Sequence, residues 1–245
     1  MIEQDLQIKA PDGTADAVLF RAEQGKAPGV IFLTDIGGIR AENKGIARRL
    51  AEKGYTVLMP NVFYRTGRPP MFTFTPTMGE ERTMKRFGEL AAPMTPERVE
   101  RDAAAYVDFL ATNDAVSAGK FGVVGYCFTG AFAMRTAAVR PDKIAAAASF
   151  HGGGLYNDTP ASPHHALSRI KSRLYFGHAI NDQSMPADAI AKLDKALAAW
   201  GGKYESETYD GAYHGWTTPG VPAYNEAQAN RAFDKLATLF AQTLK

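Results

Sequence analysis

The sequence predicts an α/β fold in which helices cover both faces of a mostly parallel central sheet. Short apolar runs rich in β-forming residues alternate along the chain with longer segments of helical periodicity, the order expected when strands are joined by crossover helices. The strand-like runs are apolar throughout, which is typical of strands buried on both faces. No internal repeat or second domain is visible, so residues 1–245 are expected to form one domain.

The first elements lie between residues 30 and 60. Residues 30–34 form an apolar run that predicts a buried strand. Residues 41–53 follow with helical periodicity, and Gly54 stands where a helix often ends on glycine. The next predicted strand covers 56–59 and ends at Pro60, which cannot donate a hydrogen bond to a sheet.

The later elements repeat this alternation. Thr95 is a suitable N-cap and Pro96 a suitable first helical residue. The helix that they begin has one apolar face, formed by Val99, Ala103, Tyr106, Val107 and Leu110. Further strands are predicted at 121–125, 144–150, 173–177 and 204–209, and further helices at 131–138, 186–200 and 224–244.

The segment 66–93 departs from this pattern. It is rich in proline and phenylalanine in its first half and in charged residues in its second half. Long connections of this kind are either lids over a functional site or plain surface excursions. The sequence leaves both interpretations open.

Composition excludes several classes of function. The net charge of +2 is too small to indicate a nucleic-acid partner, and a single cysteine cannot form an internal disulfide. No apolar run approaches the roughly 20 residues that span a bilayer, and residues 1–20 lack the pattern of a signal peptide. We expect a cytoplasmic monomer or homodimer that acts on a small molecule and binds neither nucleic acid nor membrane.

Cys127 lies in Gly125-Tyr126-Cys127-Phe128-Thr129-Gly130, between a predicted strand and a predicted helix. A lone cysteine is most often a buried core residue. A tight strand-to-helix turn, however, places its side chain above the carboxyl ends of the strands, where open α/β sheets bind ligands. The helix N-terminus favours a thiolate, and the Phe128 N–H is a natural oxyanion donor. We therefore predict that Cys127 is a nucleophile.

A thiol nucleophile needs a base, and His214 is the best candidate of the five histidines. It follows the last predicted strand in a glycine-rich loop, whereas His164 and His165 lie in a Ser-Pro loop and the other two histidines are suited to packing. Asp182, after the strand 173–177, would orient the imidazole and stabilise its charged form. Asp210 is the competing acid, but it is only four residues from His214 in the same loop. The chain order is nucleophile, acid, histidine, as in α/β-hydrolases.

These motifs resemble the dienelactone hydrolase family of the α/β-hydrolase superfamily, and the resemblance covers nearly the whole chain. It is carried by Gly125-Tyr126-Cys127 with Gly130, by Asp182 followed by Pro186, by Gly211-Ala212-Tyr213-His214-Gly215-Trp216, and by Gly54-Tyr55 leading into Pro60-Asn61-Val62-Phe63-Tyr64-Arg65. The resemblance implies an α/β-hydrolase fold, a triad of Cys127, Asp182 and His214, and an ester or lactone substrate. It also implies that the Ile36 N–H is the second oxyanion donor.

The chain departs from the family pattern at several positions. Asp35 stands where the family carries a glutamate that helps to ionise the thiol, and Thr129 replaces a glycine. Thr218 occupies the position of one of two arginines that hold a substrate carboxylate, and the segment 66–93 is longer than expected. Candidates for substrate binding are Arg82, Arg86, Tyr64 and Trp216. We expect the family reaction on a different substrate.

Two alternatives remain open. The chain could be a non-catalytic binding or regulatory protein on the same scaffold, because fold does not fix function. Cys127 could instead be a redox-sensing thiol, although no second cysteine is present to resolve it. No cofactor is predicted, since the sequence has neither a phosphate-binding glycine motif nor histidines and cysteines at metal-ligand spacing.

Overall fold

The computed structural model describes residues 1–244. Its centre is an eight-stranded sheet in the order β1-β2-β4-β3-β5-β6-β7-β8. The strands are β1 (Ile2–Ala10), β2 (Gly13–Arg21), β3 (Gly29–Leu33), β4 (Thr56–Pro60), β5 (Phe121–Tyr126), β6 (Ile144–Phe150), β7 (Arg173–His178) and β8 (Tyr204–Thr208). From β4 to β8 all neighbouring strands are parallel. The predicted α/β-hydrolase fold is confirmed.

Helices cover both faces of this sheet. They are α1 (Ala41–Glu52), α2 (Glu81–Ala91), α3 (Pro96–Ala111), α4 (Gly130–Val139), α5 (Ala187–Trp200) and α6 (Glu226–Thr243). Apolar side chains of α3, α4 and α5 form one buried core with one face of the sheet. Those of α1 and α6 form a second core on the opposite face. Because a core lies against each face of the sheet, the central strands are apolar at successive positions.

The N-terminal hairpin was not anticipated from the sequence. β1 and β2 pair antiparallel, from Ile2 opposite Arg21 to Ala10 opposite Gly13. β1 lies at the sheet edge and exposes most of its side chains, so it carries little apolar signal. Strand propensity alone is a weak indicator in such a segment, because neighbouring strands decide the pairing.

The other predicted elements are present with small shifts at their ends. α5 begins at Ala187 because Pro186 is its N-cap residue, and α6 begins at Glu226, where the Asn225 side chain accepts from the Gln228 N–H. The segment 66–93 contains a regular helix, α2, that the sequence analysis treated as irregular. Only Thr83 and Leu90 of this helix are buried, so it carries little of the apolar signal of a core helix.

Parallel pairing brings six loops to one edge of the sheet. These loops follow the carboxyl ends of β3, β4, β5, β6, β7 and β8. Cys127, His151, Asp182 and His214 all lie in these loops. Cys127 and His214 are in contact although 87 positions separate them in the sequence. None of the helices within residues 1–244 has the length and apolar character needed to cross a membrane.

Candidate active site

Cys127 occupies a sharp turn between β5 and α4. Its φ of 56° lies in the left-handed region, which is costly for a residue with a side chain. Gly125 and Gly130 make the turn possible because other atoms of the protein pack where their side chains would lie. A Cβ at Gly125 would lie 2.2 Å from the Thr129 carbonyl oxygen, and one at Gly130 would lie 2.4 Å from Ser149 Oγ. The packing of the turn therefore holds the cysteine in one strained orientation above the sheet.

Thr129 strengthens this turn. Its buried hydroxyl accepts a hydrogen bond from the Tyr126 N–H at 3.1 Å and can donate to the Leu33 carbonyl oxygen at 3.0 Å. Leu33 is the last residue of β3, so the hydroxyl joins the turn to the neighbouring strand. A glycine at position 129, the family pattern, could not make either contact. Threonine at position 129 thus adds two hydrogen bonds that stabilise the turn.

Cys127, His214 and Asp182 form a continuous hydrogen-bonded chain. His214 Nε2 lies 3.0 Å from Cys127 Sγ, and His214 Nδ1 lies 2.7 Å from Asp182 Oδ2. The Asp182 side chain is 4% exposed, whereas that of His214 is 29% exposed. The imidazole therefore has a buried carboxylate on one side and an accessible thiol on the other. This arrangement can move a proton between the sulfur and a bound molecule.

Ser184 is a member of this cluster that the sequence analysis missed. Its N–H and its hydroxyl both donate to Asp182 Oδ1, at 2.8 Å and 2.7 Å. The same Oγ lies 3.2 Å from His214 Nδ1. An Asp followed two residues later by serine is a common turn motif, and this was the available signal. Ser184 fixes the carboxylate so that its other oxygen faces the histidine.

The pKa shifts of His214 and Asp182 favour a charged pair of these two side chains. Burial lowers the pKa of His214, but its hydrogen bonds to Asp182 and Cys127 outweigh burial and raise that pKa to about 10. Burial raises the pKa of Asp182, but His214 and Ser184 outweigh it and hold the pKa below its usual value. Near neutral pH the imidazole is therefore protonated and the carboxylate ionised. Protonated His214 Nε2 can then donate to Cys127 Sγ.

Two backbone N–H groups lie in the loops that follow the neighbouring strands β5 and β3. Phe128 follows Cys127 in the short 3-10 helix Cys127–Thr129 that leads into α4, and Ile36 lies in the loop after β3. Within residues 1–244 neither N–H donates to another group of the chain. Donors at the start of a helix and in an adjoining loop are suited to hold an oxyanion. Their assignment as oxyanion donors stays a prediction.

Asp35 is engaged by groups other than the thiol. Both of its carboxylate oxygens accept from the Arg40 guanidinium, one of them at 2.6 Å from Arg40 Nη2. Further donors are the Gly37 N–H at 2.9 Å, Asn43 Nδ2 at 3.3 Å and Thr218 Oγ1 at 3.4 Å. None of the hydrogen bonds found in residues 1–244 joins Asp35 to Cys127. Its predicted role in thiol activation is therefore restricted to a long-range effect.

Arg40 is a second residue that the sequence analysis missed. Burial lowers its pKa, but Asp35, Glu42 and the sulfur of Cys127 outweigh burial and raise it. The guanidinium thus lies within electrostatic reach of Cys127. Thr218, at the family position of an arginine, donates to Asp35 instead. An ion pair between Asp35 and Arg40 therefore lies in the loop after β3, at the same edge of the sheet as Cys127.

His151 lies directly behind His214. The two rings are 5.2 Å apart at their centroids, and the ring of Trp216 is 5.0 Å from His151. His151 is 1% exposed, and its Nε2 lies 2.8 Å from Thr217 Oγ1. Burial, then His214, lower the pKa of His151 to about 3, so the ring is neutral. Trp216, a predicted substrate-binding residue, is fully buried and packs against Tyr209.

The other predicted substrate-binding residues make their contacts elsewhere. The Tyr64 hydroxyl donates to Asp102 at 2.9 Å. Arg82 is exposed and lies over the Phe74 ring at 4.4 Å. Arg86 donates to the Met71 carbonyl oxygen at 3.0 Å and to Glu89 at 2.9 Å. These three residues are not hydrogen-bonded to Cys127, Asp182 or His214, and a role in binding stays a prediction.

The segment 66–93 reaches the loop after β3. Met71 is 2% exposed, and a Cβ at Gly38 would lie 2.5 Å from Met71 Cγ. Phe72 packs edge to face against Phe87 in α2, with centroids 5.6 Å apart. The segment is thus anchored by its own aromatic residues and touches the loop that carries Ile36. This position fits a wall of the site, and its motion as a lid stays a prediction.

The fold and the site together define an α/β-hydrolase with a cysteine at the nucleophile position. The model of the dienelactone hydrolase family matches residues 15–244. The chain belongs to this family, and it is therefore a hydrolase of the ester and lactone class. Membership of a hydrolase family argues against the alternative of a non-catalytic binding scaffold.

Individual relatives agree with this assignment. A carboxymethylenebutenolidase of Rhodococcus opacus is 28% identical over 228 residues, covering 91% of this chain and 84% of the relative. A protein described as a carboxymethylenebutenolidase of Salmonella typhi is 29% identical over 229 residues, with coverages of 91% and 80%.

Solved structures show the same fold. A structure described as a dienelactone hydrolase of Klebsiella pneumoniae superposes with a TM-score of 0.86 at 23% identity and covers 98% of both chains. A dienelactone hydrolase-like promiscuous phosphotriesterase from metagenomic libraries gives a TM-score of 0.80 at 19% identity, covering 100% of this chain and 99% of its own.

Proposed function

We propose that the protein hydrolyses an uncharged carboxylic ester or lactone through a thioester on Cys127. The chain of hydrogen bonds from Cys127 to His214 and Asp182 carries this proposal. A nucleophile, a base and an orienting carboxylate in contact are the arrangement that acyl transfer requires. The strained turn at Cys127 and the helix behind it support the same role.

Acylation begins with attack of Cys127 Sγ on the substrate carbonyl carbon. The carbonyl oxygen gains the negative charge, and the N–H groups of Phe128 and Ile36 donate to it. When the tetrahedral intermediate collapses, the bond to the leaving oxygen breaks. His214 donates its Nε2 proton to that oxygen, which leaves as an alcohol or enol. For a lactone, the leaving group stays attached to the acyl chain.

Deacylation uses the same groups with a water molecule. Neutral His214 Nε2 accepts a proton from the water as its oxygen attacks the thioester carbonyl carbon. The second tetrahedral intermediate is held by the same two N–H groups. Its collapse breaks the carbon–sulfur bond, releases the carboxylic acid and restores the thiolate beside protonated His214. Asp182 stays ionised throughout and stabilises the imidazolium.

The charges around the site favour an uncharged substrate. Asp35 neutralises Arg40, because both of its carboxylate oxygens accept hydrogen bonds from the guanidinium. Arg82 and Arg86 are paired with Glu80 and Glu89. A free arginine is the side chain best suited to hold a carboxylate. The contacts found in residues 1–244 therefore support an ester or lactone substrate that needs no arginine to hold a carboxylate.

Paired substrates test both parts of the proposal. Wild type and Cys127→Ala are compared on a chromogenic acetate ester, on a neutral enol lactone and on the same lactone bearing a carboxylate. We expect turnover of the neutral lactone that Cys127→Ala lacks, and a lower kcat/KM for the carboxylated lactone. Turnover that survives in Cys127→Ala would refute the nucleophile. Preference for the carboxylated lactone would refute the uncharged substrate. Cys127→Ser is less decisive, because serine can also serve as nucleophile in this fold.

A further inference from the structure

His151 lies close to Cys127 and His214 but has no role in the proposed hydrolytic mechanism. One ligand atom from each of Cys127, His151 and His214 lies within 4.8 Å of the other two. His151 Nδ1 is buried and has no hydrogen-bond partner in the described chain. A buried polar atom without a partner is costly and calls for a reason. The three residues come from three loops, so their spacing along the sequence gave no metal signature.

We propose that Cys127, His151 and His214 form a binding site for a thiophilic divalent cation, with Zn²⁺ as the preferred ion, and that its occupation inhibits hydrolysis. One thiolate and two imidazoles are a ligand set that zinc favours. Three protein ligands leave a fourth position for water. Metal binding itself is independent of the proposed hydrolytic reaction, whereas inhibition rests on it.

The geometry requires only a small adjustment. Zinc–sulfur and zinc–nitrogen bonds of about 2.3 Å and 2.0 Å set the ligand atoms of a tetrahedral site about 3.5 Å apart. Cys127 Sγ and His214 Nε2 are now 3.0 Å apart, joined by a hydrogen bond. The ion would replace the proton that these two atoms share. A side-chain shift on the order of 1 Å closes the site around it.

The surroundings of His151 hold one nitrogen ready for the ion. Its Nε2 is engaged with Thr217 Oγ1 at 2.8 Å, which leaves Nδ1 as the nitrogen that can bind without breaking a contact. A hydrogen bond of this kind to the second ring nitrogen is typical of metal-binding histidines. His214 has the same feature, since its Nδ1 lies 2.7 Å from Asp182 Oδ2.

The test measures zinc binding directly and separately from catalysis. Competition with a chromogenic chelator gives the Zn²⁺ affinity of wild type, His151→Leu and Thr217→Val. We expect one tight site in wild type, at least tenfold weaker binding in His151→Leu and a smaller weakening in Thr217→Val. His151→Leu that folds normally by circular dichroism and binds Zn²⁺ within twofold of wild type would overturn the proposal.

A matched control removes the surface histidines. His164 and His165 have ring centroids 4.0 Å apart and could bind zinc on their own. The double variant His164→Gln/His165→Gln should keep both the affinity and the inhibition of wild type. Loss of zinc binding in this variant would place the site on the surface and refute the proposal.

Two measurements on wild type remain informative if His151→Leu does not fold. Co²⁺ should give a cobalt–thiolate absorption band, and saturating Zn²⁺ should slow alkylation of Cys127 by iodoacetamide at least tenfold, with recovery on adding a chelator. Unchanged alkylation at saturation would overturn the proposal. Zinc binding without inhibition, in an enzyme shown to depend on Cys127, would overturn the inhibitory part. An enzyme inactive on every ester would refute the proposed function and leave the binding result intact.

Discussion

Two polar clusters border the same loop edge, and they differ in how completely their hydrogen bonds are closed. In the cluster of Asp35, Arg40 and Thr218, the carboxylate is surrounded by donors and the charges cancel. In the cluster of Cys127, His214 and Asp182, Ser184 and His214 hold the carboxylate, whereas the sulfur contacts only His214 among these residues and stays partly accessible. A closed ion pair stabilises a loop, whereas a chain with one open end can pass a proton to a substrate.

The strongest test of this contrast changes the acid of each cluster to its amide. Asp182→Asn should lower kcat by about 10³–10⁴-fold, because the amide no longer stabilises the His214 imidazolium. Asp35→Asn should lower kcat much less, since its hydrogen bonds do not reach Cys127. The measurement is steady-state kinetics on a neutral ester. Equal losses in the two variants would show that both clusters take part in proton transfer.

The closed cluster should matter more for stability. Arg40→Ala leaves the Asp35 carboxylate buried without its main partner, and we expect a loss of about 2–4 kcal/mol in the free energy of unfolding. Adding Asp35→Asn removes the unpaired charge and should restore more than half of that loss. Urea unfolding of the two variants gives both values. If Arg40→Ala alone were as stable as wild type, the assignment of a closed ion pair would be contradicted.

Ser184 offers a smaller effect within the open cluster. Ser184→Ala removes the hydroxyl that donates to Asp182 but keeps the backbone N–H that does the same. We expect kcat to fall about tenfold, consistent with the loss of one hydrogen bond to a charged acceptor. The matched control is Ser117→Ala, whose side chain lies outside the site. A loss as large as that of Asp182→Asn would mean that Ser184 does more than hold the carboxylate.

The raised pKa of His214 predicts a pH dependence of stability. The folded chain favours the protonated ring, so its contribution is complete below pH 6.5 and declines as the pH rises through about 10. The difference in unfolding free energy between wild type and His214→Gln should therefore shrink across this range. Unfolding measured at several pH values checks the trend. A difference that grows with pH would contradict the charged pair.

The sequence predicted the central strands and most helices because their apolar patterns are set by burial on both faces of the sheet. It also predicted Cys127, Asp182 and His214 as a group, because parallel strands bring their following loops together whatever the distance along the chain. Helix α2 and strand β1 were missed because each buries only two side chains and therefore carries little apolar signal.

The residues around the triad were harder to predict. His151 contacts Thr217, which is 66 residues later, so nothing near His151 in the sequence signals that contact. Ser184 and Arg40 bind acids close by in sequence, but only the folded loops place those acids at the site edge. Arg82 and Arg86 were chosen as substrate-binding candidates for their charge, whereas the structure pairs both with nearby glutamates. Side-chain pairing of this kind follows from three-dimensional placement, which a single sequence does not record.

The most direct test of the central claim is to trap the acyl-enzyme. Wild type is mixed with a neutral ester, quenched in acid within milliseconds and digested, and the peptide that contains Cys127 is analysed by mass spectrometry. We predict one acyl group on Cys127, formed at the rate of product release in the first turnover and lost on hydroxylamine treatment. Turnover with no acyl group on Cys127 at any quench time, or with the group on another side chain, would contradict the account.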